Sequence, residues 1–233
     1  FGLRPIIVPD LAALDGSRKG ISALALGGTS VEDIRGMADS EFTIVIGAGM
    51  KAAARILEER FGIEYRVFDS IAGLNDTDIL MKALSALSAR EMSARYERRR
   101  SILIDGMRDA HFYFGGKKAC LALDPDHSVQ MSRLLDEAGV TIAQAVVPHM
   151  TESVSCIVAD QTAVGDLNSI RAECDIIISN SHASESALRL QVPLYQTGFP
   201  VHKLIGVTAR VTIGYTGTLN SINDIGNLLM KAH

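Results

Sequence analysis

The 233-residue chain has no tryptophan and only five tyrosines and seven phenylalanines, so its interior must be mostly aliphatic. No apolar run approaches the eighteen or so residues of a membrane-spanning helix, and no stretch reads as a secretory signal. Neither a membrane span nor a membrane partner is expected. The net charge of -4 leaves no global basic field, which argues against nucleic acid and acidic lipid surfaces as partners. Three cysteines, Cys120, Cys156 and Cys174, show no CxxC or Cys/His ligand spacing, and an odd, unpaired set suits a reducing, cytoplasmic setting. HExxH, HxxxH and GxSxG are all missing, so neither a metal-ligand set nor a catalytic constellation can be read from spacing. There is no internal repeat and no low-complexity segment.

With 47% hydrophobic and 21% charged residues, the chain can bury one or two cores. Apolar runs of strand length recur at Pro5–Val8, Phe42–Ile46, Tyr65–Phe68, Lys118–Leu123, Thr141–Val147, Ser155–Val158, Asp175–Ser179, Pro193–Tyr195 and Arg210–Ile213. Their continuous apolarity predicts parallel strands covered on both faces. Amphipathic stretches between them predict helices at Val31–Met37, Lys51–Phe61, Thr77–Leu87, Val129–Ala138, Asp166–Arg171, Ser184–Leu190 and Ser221–Lys231. Such alternation means doubly wound α/β architecture. A charged, proline-free stretch from Ser88 to Ala110, interrupted only by Gly106, predicts one long helix. Twenty helical residues span about 30 Å, enough to bridge two αβ domains. The expected division is an amino-terminally incomplete αβ domain over 1–88, a linking helix over 89–110 and a second αβ domain over 111–233. The opening FGLRPIIVPD reads as a strand that follows the end of a helix, as in a fragment of a longer protein. An uncovered apolar face there predicts self-association near residues 1–30.

Three further features carry chemistry or merely shape. FTIVIGAGMKAAARILEERFGIEYRVFDS combines a strand, Gly47-x-Gly49-x-x-Ala52, a helix, a second strand and Asp69, like a dinucleotide-binding fingerprint. In an NAD(P)-dependent oxidoreductase the glycines would let pyrophosphate approach the helix N-terminus while Asp69 bonds a ribose hydroxyl. Its position weighs against that use, because an earlier strand and the GGTSVEDI unit precede it. In GGTSVEDI, Thr29 or Ser30 can cap a helix whose first turn holds Glu32 and Asp33. Arg95, Arg98, Arg99 and Arg100 fall at helical spacing and read as a solvated face.

In the second domain the loops after the strands should converge on one crevice at the carboxyl edge of the sheet. They carry Asp124 to His127, Pro148 to Thr151, Asn180, Ser181 and His182, and Gly198 to His202. Asn180, Ser181, His182 and Gly198 are the candidate crevice residues. Asn180, Ser181 and His182 also suit the start of the helix near Ser184. Gly115 and Gly116 are read as the turn between the linking helix and the first strand.

The ordered set HFYFGGKKACLALDPD, NSH, GFPVHKLIG and RVTIGYTGTLNSINDIGNLL resembles the carboxyl half of the nitrogenase component 1 superfamily. Within it the likeness is to the NifN family, β-like subunits of the NifEN scaffold on which the iron–molybdenum cofactor is matured. PDLAALDG, LGGTSVEDIRGM and RRRSILIDGMRDAHFYFGGK extend the resemblance over nearly the whole chain. At GYTGT many scaffold-type relatives are expected to carry arginine where Thr216 stands. The resemblance implies three Rossmann-like αβα domains with parallel sheets, this chain supplying most of the middle one and all of the last. It implies a cofactor-assembly scaffold subunit without independent turnover, or alternatively the β subunit of nitrogenase or of a nitrogenase-like reductase. The implied partners are an α-like (NifE-like) scaffold subunit in a heterotetramer and the nitrogenase iron protein. A [4Fe–4S] cluster and a cofactor precursor would be shared with the α-like partner in the full-length protein. Its cysteine ligand would lie in the amino-terminal domain, so none of Cys120, Cys156 or Cys174 is assigned to it and no cofactor is expected here.

Overall fold

A computed structural model describes residues 1–9 and 28–231. Among these residues two sheets form, both parallel. In the first, β1 (Thr43–Ile46) pairs with β2 (Tyr65–Phe68), Thr43 opposite Tyr65 and Ile46 opposite Phe68. The second has five strands in the order β5-β4-β3-β6-β7. They are β3 (Lys118–Ala122), β4 (Thr141–Val147), β5 (Thr162–Val164), β6 (Ile176–Ser179) and β7 (Leu194–Gln196). Central β6 shows why its apolar run does not alternate, since Ile176, Ile177 and Ile178 are each fully buried. Helices cover both faces of the sheet, and each such side chain contributes about 1.5–3 kcal/mol by burial.

The helices are α1 (Val31–Gly36), α2 (Lys51–Phe61), α3 (Leu74–Ser88), α4 (Ala94–Phe114), α5 (Pro125–Glu137), α6 (Ser184–Leu190) and α7 (Gly214–Lys231). Ser30 caps α1 in a reciprocal box with Asp33, as the GGTSVEDI reading expects. Helix α4 ends where Gly115 donates to the His111 carbonyl, and Gly116, at φ +76°, turns the chain into β3. Helix α4 packs along α7. Gly106, the one interruption in α4, lies under Leu219 of α7, where a Cβ would collide with that side chain. Phe114, Leu103, Ile222, Ile225 and Leu229 bury this contact against the main core.

Several expected elements differ. Residues 1–9 hold no regular structure, so Pro5–Val8 is not a strand. Prolines 5 and 9 lack the N–H a ladder needs. All of the PDLAALDG segment but Pro9, and most of the expected self-association region, fall within 10–27, outside the described residues. Ser155–Val158 is not a strand either: Glu152–Cys156 is a 3₁₀ turn in which the Ser155 hydroxyl donates to the Glu152 carbonyl. Local hydroxyl bonding of this kind competes with a strand ladder, and the edge strand forms later, at β5. Asp166–Arg171 shrinks to a 3₁₀ turn, Leu167–Ser169. Arg210–Ile213 is not a strand, because its groups are spent on α7: Arg210 pairs with Asp224, and Asn220 donates to the Val211 carbonyl. Helix α5 starts at Pro125 rather than Val129, with Asp124 as its cap, the arrangement proline favours at a first helical position.

Candidate functional site

The carboxyl ends of β1 and β2 are closed by one helix of the other αβ unit. Asp126, Gln130, Arg133 and Glu137 recur at steps of four, three and four residues, so they share one face of α5. At the loop after β1, Asp126 Oδ2 accepts the Gly49 N–H at 2.9 Å, and Ser153 Oγ donates to Asp126 Oδ1. Gly47 and Gly49 are glycines because Asp126 is there. A Cβ would stand 2.5 Å from its Oδ2 at Gly47 and 2.8 Å at Gly49. Gly47 also has φ +80°, which a side chain rarely adopts.

At the end of β2, Arg133 pairs with Asp69 at 3.1 Å and reaches Asp76 at 3.6 Å. Glu137 accepts the N–H groups of Leu74 and Asn75, at 2.5 and 2.9 Å, at the N-terminus of α3. That end lacks a side-chain cap of its own, and a carboxylate suits its dipole. Gln130 Oε1 lies 3.5 Å from the Ile71 amide nitrogen. Beside Asp126, Lys51 meets Glu152 at 2.8 Å, and that bond raises the lysine pKa.

The dinucleotide reading fails on this geometry. The fingerprint residues Gly47 and Gly49 do form a cradle at the start of α2, but a carboxylate of the same chain sits where phosphate would. Asp69 is committed to Arg133 instead of a ribose, and Ala52 is exposed in the first turn of α2. Neither Asp126 nor Arg133 is apparent as a site residue from motif spacing. The signal available was a polar stripe along a helix whose other side supplies Val129, Leu134 and Leu135 to the core.

The second sheet places the candidate crevice residues at its topological switch point, between β3 and β6, where open α/β sheets bind ligands. Asn180 Oδ1 accepts the His182 N–H, and its Nδ2 donates to the Phe199 carbonyl at 3.1 Å. Buried Ser181 donates to Gln196 Oε1 at 2.6 Å and accepts the N–H groups of His202 and Lys203. Asn180 thus caps a 3₁₀ turn, Ser181–Ala183, that leads into α6 rather than capping α6 directly. A Cβ on Gly198 would lie 3.0 Å from Leu123 Cδ2 and 3.3 Å from His127 Nδ1. These four residues therefore come together, with their polar groups largely spent on tying the β6 and β7 loops. Burial holds the His127 pKa below its ordinary value, against the opposing pull of Asp124.

A second polar cluster joins α3, α4 and α7. Arg100 donates Nε and Nη2 to both oxygens of Asp78, and Tyr215 donates to Asp78 Oδ1 at 2.7 Å. Burial works to raise the Asp78 pKa, yet the bonds from Arg100 and Tyr215 hold it below the usual carboxylate range. Burial and the Asp78 bond push Tyr215 up. Arg100 thus leaves the solvated arginine face expected for α4, whereas Arg95 and Arg98 remain exposed.

The three cysteines do not converge. Cys120 is buried on β3 beside Cys174, whose hydrogen bond, with burial, pushes the Cys120 thiol up. Cys156 lies in the 3₁₀ turn after β4. Among the described residues no group of three or more His, Cys, Asp or Glu side chains is placed to hold a metal ion. Nor is any described helix long and apolar enough to cross a membrane.

Residues 2–230 match the family model described as "Nitrogenase component 1 type Oxidoreductase". The chain is similar to the nitrogenase iron-molybdenum cofactor biosynthesis protein NifN of Rippkaea orientalis, 38% identical over 99% of this chain and 53% of the relative. NifN of Bradyrhizobium diazoefficiens is 37% identical over 99% of this chain and 50% of its own length. The structure titled "Nitrogenase Cp1 at pH 6.5" superposes with a TM-score of 0.83 at 27% identity, covering 94% of this chain and 51% of that one. The chain spans about half the length of the curated relatives it matches. Its parallel α/β sheets, their helical cover and the family match over almost every residue agree: the chain belongs to the nitrogenase component 1 type oxidoreductase family.

Proposed function

We propose that this protein is a NifN-like subunit of an iron–molybdenum cofactor assembly scaffold, acting in the cytoplasm with an α-like partner. In that role it positions a metal–sulfur precursor during maturation and performs no turnover of its own. The observation that carries the reading is 37–38% identity to NifN proteins along 99% of the chain. The polar seams agree with it: side chains that could have served a ligand in the first αβ unit instead hold α5. We further propose the division into a middle αβ domain over 1–88, a linking helix over 89–110 and a carboxyl-terminal αβ domain over 111–233. The shared [4Fe–4S] cluster and the docking of the nitrogenase iron protein belong to the same proposal.

A second reading, the β subunit of nitrogenase itself, is favoured by the superposition on nitrogenase Cp1. Reduction assays separate the two. With an α-like partner, iron protein, ATP and reductant supplied, the scaffold reading predicts no sustained reduction of dinitrogen or acetylene. Steady multiple turnover would overturn it in favour of the β subunit.

A further inference from the structure

The loops that follow β6 and β7 bring together two histidines that sequence spacing keeps apart. The rings of His182 and His202 have centroids 5.3 Å apart and planes inclined at 56°. A metal ion bound at about 2.0–2.1 Å from an imidazole nitrogen lies roughly 3.2 Å from the ring centre. Two rings on one tetrahedral ion therefore have centres roughly 5.2 Å apart. The observed separation matches that spacing, and the inclination rules out parallel stacking.

The rings are carried on tied loops. Ser181, whose side chain is buried, accepts the His202 N–H at 2.9 Å and the Lys203 N–H at 3.2 Å while donating to Gln196. Its own N–H donates to the Pro200 carbonyl at 3.1 Å, and Asn180 donates to the Phe199 carbonyl. One loop thus fixes the other, and the cost of ordering the pair is met by the fold rather than by the ion. Both histidines are exposed, so water can complete a coordination shell.

We propose that His182 and His202 form a two-imidazole site for a borderline divalent transition ion of the zinc, nickel or copper type. The donor set is nitrogen only, which selects such ions over magnesium and calcium, whose preferred ligands are oxygen. The site stands independently of the scaffold reading, since it rests on ring geometry and loop ties alone.

Zinc titration of the chelator-stripped protein by isothermal calorimetry tests it, with magnesium as the control ion. The expected result is a zinc site that both His182→Ala and His202→Ala weaken tenfold or more, while His149→Ala leaves it unchanged. His202→Gln repeats the test with side-chain volume kept, and circular dichroism checks that each variant is folded. No zinc binding, unchanged affinity in either variant, or loss in only one of them would overturn the proposal.

Discussion

The contact between Asp126 and the Gly47–Gly49 loop makes one substitution change sign with its background. A Cβ on Gly49 would stand 2.8 Å from Asp126 Oδ2, so Gly49→Ala must displace the carboxylate and lose the 2.9 Å bond from the Gly49 N–H. A hydrogen bond to a charged group contributes about 1.5–3 kcal/mol, and partly exposed Asp126 belongs near the lower end. Against that loss, replacing glycine by alanine where the backbone is not left-handed stabilises by about 0.4–1 kcal/mol through the unfolded chain. Gly49→Ala should therefore cost about 1 kcal/mol in the native background. In an Asp126→Ala background the obstruction is gone, and the same change should stabilise by about 0.5 kcal/mol. The coupling in the double-mutant cycle is then about 1.5 kcal/mol. Urea unfolding followed by circular dichroism at 222 nm measures all four proteins, since the chain has no tryptophan to report by fluorescence. Equal destabilisation by Gly49→Ala in both backgrounds would refute the seat assigned to Asp126.

Other outcomes follow from the remaining clusters. Asp78 has a folded pKa below its unfolded value of about 3.9, so its stabilisation is complete above that value and is lost as pH falls through the folded pKa. Asp78→Asn should cost about 2 kcal/mol at pH 7 and flatten the acid limb of the stability profile; an unchanged limb in urea melts below pH 4 would contradict this. His127 is also depressed, here by burial, so its contribution is complete above about pH 6.5 and declines as pH falls below it. His127→Gln should remove part of the slope between pH 7 and 5 in thermal melts. A Cβ on Gly217 would run into the backbone of Thr212, so Gly217→Ala should destabilise by about 3 kcal/mol and lower the Tm, whereas a native-like Tm would show that the α7 entry can shift. NAD(P)H at millimolar concentration should leave the Tm unmoved, because Asp126 and Arg133 already hold the fingerprint residues; a saturable rise would reinstate the dinucleotide reading.

The central strands β3, β4 and β6 were legible because they are buried on both faces, which writes an unbroken apolar run such as Ile176–Ile178 into the sequence, whereas the half-exposed edge strand β5 was not. The strands expected at Ser155–Val158 and Arg210–Ile213 were not, because short apolar runs do not reveal that helix side chains have taken their backbone groups, the Ser132 hydroxyl accepting the Val158 N–H and Asn220 donating to the Val211 carbonyl. The start of α5 was readable from Asp124 and Pro125, a cap followed by a first-turn proline, but looks like a loop if the proline is taken only as a breaker. Gly47, Gly49, Ala52 and Asp69 match a dinucleotide-type fingerprint in the sequence, a use the structure does not support. That another part of the chain holds Gly49 and Asp69 depends on Asp126 and Arg133, far away in sequence, and no local pattern states it. Likewise, the nearness of His182 and His202 comes from the β6–β7 pairing and the Ser181 ties, not from spacing.

The central proposal is that this protein works as a scaffold subunit joined to an α-like partner. Coexpression with a tagged α-like scaffold subunit, followed by affinity capture and size-exclusion chromatography with light scattering, tests it most directly. The predicted result is coelution in equal amounts at the mass of a heterotetramer. A monodisperse protein that ignores the α-like subunit at micromolar concentration would contradict it.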